Sequence, residues 1–341
     1  MRMLRRYALI SFVVACAHLV FGAVVRISGS GMGCGDHWPR CYGSFFPPLD
    51  RPDLIIEVTH RYLASLLLLT LVVSFAAAWR RRGEPGVRES GVLRSSALAL
   101  VLGLAAALLG ALTVKLGNAP FATLAHWTVA MSLVATVAAT WIRTGGLGGD
   151  EARAIEVSGT ARRASMAAAA VALVTVVMGG LTAKYPGAAV ACQAFPSCGT
   201  NPDVARAAVF VQVTHRILAV LLVLHLFGFV MGLRRRREEP LIRRAAGIAL
   251  SLGVLQLVLA GAMIGLHLPP VLRSLHEATG VSIWISTFVL AYLAHLGRGG
   301  HGVREPRVEN PDDLVGGDAL RIPAGSMQHS VAVIIARGAD L

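Results

Sequence analysis

The chain has 341 residues, of which 55% are hydrophobic and 15% charged, with a formal charge of +13 and a mean hydropathy of +0.63. A soluble globular domain carries about 25% charged residues, so this composition argues against a soluble enzyme, a disordered chain or a coiled coil and favours a polytopic membrane protein. The positive charge is no nucleic-acid footprint, because aromatics are only 6% and no basic stripe carries interleaved stacking residues.

A spanning helix needs about 20 mostly apolar residues. Eight runs qualify: 7–25, 58–79, 95–114, 122–142, 164–182, 208–233, 247–267 and 274–296. The first follows Arg2, Arg5 and Arg6, as a signal peptide would. It is long enough to span, however, and removing it would spoil the even helix count. The charges alternate between connecting segments. Arg80, Arg81 and Arg82, then Arg143, then the run Arg234–Arg237 fall on the same side as the N-terminus, and the tail adds Arg298, Arg304 and Arg307. The opposite loops are poor in positive charge. The positive-inside rule then puts both termini in the cytoplasm and loops 26–57 and 183–207 outside. The SVAVIIA stretch at 330–336 is too short to span, and the tail is expected to be largely disordered.

The chain repeats itself. EVTHRYLASLLLL (57–69) and QVTHRILAVLLVL (212–224) match at nine of thirteen positions. Cys34 and Cys41 upstream parallel Cys192 and Cys198, and GALTVKLGNAPFATLAHW (110–127) parallels GAMIGLHLPPVLRSLHEA (261–278). Four spans per half give both halves one orientation, with a pseudo-twofold axis along the membrane normal. The expected fold is an all-α membrane protein of eight transmembrane helices in two pseudo-symmetric four-helix bundles. They would occupy residues 1–147 and 164–296, joined by a cytoplasmic linker at 148–163 and followed by the tail 297–341.

Among eleven histidines, His60, His126, His215 and His276 are placed alike, in the first turns of even-numbered spans just inside the outer face. Facing imidazoles at one level suit bis-His ligation of a haem. A single intramembrane His often just bonds a neighbouring helix, but four in a repeated pattern need a shared reason. Zinc or copper fits less well, because no second ligand lies at i+3 or i+4. A di-iron site needs a second Glu-x-x-His and two further Glu, whereas the second half has Gln212. His225, ten residues beyond His215, reads as a packing residue, and His18 as a polar group near a helix end or interface.

Glu57 lies one turn before His60 on the same face, and its counterpart is Gln212. A carboxylate at the membrane edge must be used or paired. It can stabilise a developing cation or move a proton, which assigns chemistry to the first half and a permanent cofactor to the second. The alternative is a Glu paired with Arg26, Arg51 or Arg61. Arg61 and Arg216 follow the repeated His and suit either haem propionates or interfacial anchoring. Cys34 with Cys41 and Cys192 with Cys198 suit two small disulfide loops in an oxidising compartment, either pinning the outer loops or exchanging with a thiol partner. Cys16 reads as a core residue.

The ordered set GSGMGCGDHWPRC (29–41), EVTHR (57–61), GALTVKLG (110–117) before His126, the second Cys pair, QVTHR (212–216) and His276 resembles the bacterial haem A synthase family, related to the mitochondrial cytochrome oxidase assembly homologue. The likeness covers about residues 1–296. It implies oxidation of the C8 methyl of haem O to a formyl group, with Glu57 as catalytic carboxylate. It further implies that His60 and His126 face substrate haem O and that His215 and His276 ligate a resident haem b. The partners it implies are haem O synthase, cytochrome oxidase subunits and an electron donor, in a bacterial plasma membrane. A monomer and a homo-oligomer both fit. The competing readings are a di-haem b electron-transfer cytochrome, a non-catalytic haem-delivery factor and a repeat-built transporter.

Overall fold

A computed structural model of the chain describes residues 1–300 except 36 and 38. Their contacts gather them into one compact unit. Eight long helices are apolar enough to cross a membrane: α1 (Arg2–Ile27), α2 (Pro52–Arg80), α4 (Val92–Lys115), α5 (Pro120–Arg143), α7 (Gly159–Lys184), α8 (Arg206–Arg235), α9 (Pro240–Gly265) and α10 (Pro270–Leu296). The chain is a multi-pass membrane protein. Two short helices, α3 (Pro85–Ser90) and α6 (Gly149–Ala152), sit between spans. Strand β1 (Glu156–Ser158) pairs in parallel with β2 (Arg298–Gly300). Residues 298–300, expected to open a disordered tail, are therefore paired. The rest of that tail, with SVAVIIA, lies outside the described residues.

Local chemistry sets the ends. Proline occupies the first turn of α2, α3, α5, α9 and α10, where its missing N–H costs nothing and its fixed φ fits the helix. Ser158 caps α7 by accepting the Ala161 N–H at 3.1 Å. Several helices begin earlier than their apolar runs. The segment after Pro240 reads Leu-Ile-Arg-Arg, and its polar part extends α9 by one to two turns.

In the first half α1 packs on α2, α2 on α4, α4 on α5 and α5 back on α1. In the second, α7 packs on α8, α8 on α9, α9 on α10 and α10 back on α7. Contacts of α10 with α1 and α5, and of α5 with α7, join the two rings. The main buried cluster runs through both, with Leu67 and Met131 from one and Ala172, Leu222 and Trp284 from the other. Trp284 crosses between them, its indole N–H donating to the Met131 carbonyl at 3.0 Å. Large apolar side chains such as Leu108, Leu224 and Val258 point outward, as a lipid-facing surface requires. Many hydroxyls on the spans bond within their own helix. On α5, Thr128, Ser132, Thr136 and Thr140 each donate to the carbonyl four residues back.

Arginines pin the end carrying the basic clusters. Arg5 donates to the Thr144 carbonyl at 2.8 Å and pairs with Asp150. Arg143 reaches Ser90 O and Tyr292, and Arg162 reaches Gly297 O.

Candidate functional site

The candidate site residues lie toward the opposite end, beneath the two Cys-bearing loops. Near the start of α2, Glu57 is 4% exposed. Its Oε2 accepts the Cys34 N–H at 2.8 Å, and its Oε1 pairs with Arg61. Arg61 also donates to the Pro39 carbonyl at 3.0 Å. Near the start of α8, Gln212 is likewise buried, and its Oε1 accepts the Cys192 N–H at 2.6 Å. Arg216, facing a neutral amide, turns wholly to the loop: it donates to the carbonyls of Ala194 at 2.7 Å, Ser197 at 2.8 Å and Cys192 at 3.3 Å. Residue 57 or 212 thus holds the first Cys amide of each loop, and the following Arg holds the loop's carbonyls. Cys34 meets Cys41 and Cys192 meets Cys198, with Cα atoms 5.0 and 4.4 Å apart, inside the reach of a disulfide.

These bonds choose among the partners open from sequence. Glu57 pairs with Arg61; Arg26 pairs with Glu277 on α10, and Arg51 with Asp53. Arg61 and Arg216 serve the loops. His225 packs, its Nε2 lying 3.0 Å from the Ala164 carbonyl.

The four histidines come together as two pairs. His60 on α2 and His126 on α5 belong to the first ring of helices, and His215 on α8 and His276 on α10 to the second. In each pair one ring is fixed by a backbone carbonyl: His126 Nδ1 to Ala106 O at 2.8 Å, and His215 Nδ1 to Thr175 O at 3.0 Å. A carbonyl can only accept, so Nδ1 carries the proton and Nε2 keeps its lone pair. The other ring of each pair, His60 or His276, has a buried Nδ1 without a hydrogen-bond partner. Gln256 donates instead to the His276 backbone carbonyl at 2.9 Å.

Helical glycines make room for these rings. A Cβ on Gly22, Gly110 or Gly179 would stand 3.3, 3.1 or 2.9 Å from Cε1 of His60, His126 or His215 respectively. One participant was missed in the sequence. His18 of α1 stacks on His60 with ring centroids 4.3 Å apart. Its signal was its place four residues before Gly22, a position that emerges only once the repeat is extended upstream to α1 and α7.

Partly buried imidazole pairs, each with one Nδ1–H fixed by a carbonyl and flanked by glycine, fit axial ligation through Nε2. The hydrogen bond to a backbone carbonyl is the outer contact such a ligand uses to fix its tautomer and ring plane.

Fold and site together define a multi-pass membrane protein whose two four-helix halves each carry a pair of partly buried histidines beneath a pinned Cys loop. The chain belongs to the COX15-CtaA family of cytochrome oxidase assembly proteins, whose family model matches residues 5–55 and 51–288. It is 27% identical over 266 residues to the Heme A synthase of Geobacillus thermodenitrificans, an alignment covering 77% of this chain and 82% of that protein. It is 29% identical over 254 residues to the Heme A synthase of Shouchella clausii, covering 73% and 82%. To the Heme A synthase of Bacillus cereus it is 28% identical over 301 residues, covering 87% and 94%.

Proposed function

We propose that this protein is a haem A synthase that oxidises the C8 methyl of haem O to a formyl group, supplying haem A for cytochrome oxidase. The observation that carries the reading is the repeated, glycine-flanked imidazole pair within a chain of this family. His60 and His126 would hold substrate haem O, and His215 and His276 would hold haem b. Bound haem b would supply one-electron chemistry to the substrate half.

The chain's own residues orient and shield. His126 and His215, each locked by a carbonyl at Nδ1, keep the Nε2 lone pair for a ligand. The pinned loops cover the outer ends of α2 and α8. Glu57 places a carboxylate one turn from His60, where it can favour a developing positive charge or accept a proton. Arg61 holds that carboxylate until it is used. The methyl carbon would be hydroxylated twice, each step taking one oxygen atom from dioxygen while two electrons from an external donor and two protons reduce the other to water, and the resulting geminal diol would lose water. The protein would lie in a bacterial plasma membrane with both termini cytoplasmic, working beside haem O synthase and cytochrome oxidase subunits.

A second reading has one observation in its favour. Glu57 and Gln212 both accept a Cys amide, a task that needs no catalysis, so a di-haem electron-transfer cytochrome would use the same bond. Haem extracted from detergent-purified protein separates the two. Haem b accompanied by haem O or haem A is expected of a synthase; two haem b per chain, with no conversion of added haem O, would overturn it.

A further inference from the structure

Beside its histidine pair the first half places a third imidazole, His18, where the equivalent position of the second half is Thr175. His18 stands four residues before Gly22, which faces His60; Thr175 stands four residues before Gly179, which faces His215. The two positions act differently. Thr175 offers its backbone carbonyl to His215 Nδ1. His18 offers its ring, lying 17° from parallel with His60 at a centroid separation of 4.3 Å. Phe21, nearly one turn further along α1, lies 15° from parallel at 6.4 Å. His60 Nδ1 and His18 Nε2 are both buried without a hydrogen-bond partner. His60 is therefore oriented by rings, where His126 and His215 are oriented by hydrogen bonds. His276 also lacks an Nδ1 partner, but among the described residues no ring stacks on it, and Gln256 holds its backbone.

Building on the synthase reading of the first half, we propose that His18 is a positioning residue whose ring stack sets the plane of His60 for the substrate haem. A hydrogen bond from the far nitrogen both orients a ligating imidazole and makes it a stronger donor. A stacked ring orients it without the added donor strength. That combination suits a porphyrin that must be held in register and then released as product, whereas a resident cofactor gains from the hydrogen-bonded form.

The test uses full-length detergent-purified protein with its resident haem, as wild type, His18→Phe and His18→Leu, titrated with ferric haem O. Two signals are read: the affinity of the low-spin complex, and its largest electron paramagnetic resonance g value, which depends on the angle between the axial imidazole planes. His18→Phe keeps the stack and should bind within about twofold of wild type with the same g value. His18→Leu loses it and should weaken binding about two- to tenfold, the range for an aromatic pair, with a shifted g value. Unchanged resident haem reports that each variant folds, and His18→Gln replaces the Leu variant if it does not. Equal defects in the Phe and Leu variants would move the effect to the His18 nitrogen and overturn the proposal, as would a Leu variant identical to wild type. Wild-type protein that takes up no haem O would instead defeat the synthase reading, and this inference with it.

Discussion

Glu57 has both carboxylate oxygens occupied, one by an amide and one by a guanidinium. Gln212 shows that an amide oxygen can take over the first of these bonds. Glu57→Gln should therefore keep the loop pinned, retain resident haem and leave Arg61 without its counter-charge. Haem A formed per haem b is expected to fall by about 10²-fold or more, the scale of a lost acid–base group. Normal conversion in this variant would remove the catalytic role. At this scale the sequence was partly legible. The repeated Thr-His-Arg triplets singled out His60 and His215, and the Glu/Gln difference singled out residue 57. Arg61 could not be assigned, because its partners are Glu57 and the carbonyl of Pro39, which only the folded loop brings near. From sequence His18 reads only as a polar group near a helix end or interface, because α1 and α7 share too few residues for the repeat to be seen there.

The helices explain why small residues stand where they do. Gly179 on α7 faces His215 so closely that any side chain must displace the ring, whereas Gly228 on α8 has nothing within 4 Å. Gly179→Val should cost about 1–3 kcal/mol through overpacking and strip resident haem from the second half. Gly228→Ala should leave haem content unchanged and slightly favour the helix. Haem-to-protein ratios of the two purified variants check both, and equal ratios would undo the cradle argument. Number and order of spans were legible because apolar runs of this length have one stable form in lipid. Their N-terminal limits were less so. Pro52 and Pro240 begin helices six or seven residues ahead of the apolar runs, since a first turn capped by proline tolerates polar side chains outside the hydrocarbon.

Across the whole molecule, several contacts fasten the two halves together. Trp284 bonds the Met131 carbonyl. Nearer the Cys loops, Arg26 pairs with Glu277, the residue after His276, and a Cβ on Gly180 would meet Trp127 at 3.0 Å. Arg26 and Glu277 are only about one-fifth exposed, so Glu277→Gln strands a half-buried guanidinium. A loss of about 1–3 kcal/mol is expected, measured as a lower unfolding temperature in detergent, and Arg26→Gln/Glu277→Gln should recover part of it. Orientation is tested separately. A cysteine at Leu49 should react with a membrane-impermeant thiol reagent from outside the cell, and one at Gly83 should not; Leu49 is exposed and Gly83 has open space around it. The reverse pattern would invert the assigned topology. None of these inter-half contacts was readable from sequence, because each joins residues more than fifty positions apart with no motif between them.

The parallel pairing of β1 with β2 bears on how the protein can be cut and fused. Arg298 N–H donates to the Ile155 carbonyl at 3.0 Å, Arg162 holds Gly297 O, and a Cβ on Gly297 would stand 2.5 Å from Val157. The last span is therefore followed by a short clasp that closes on the segment between the halves. A truncation or affinity tag placed directly after Leu296 would pull that clasp away and leave the backbone of β1 unsatisfied. The same tag attached after Gly300 keeps every one of those bonds, which makes Gly300 the natural border for expression work.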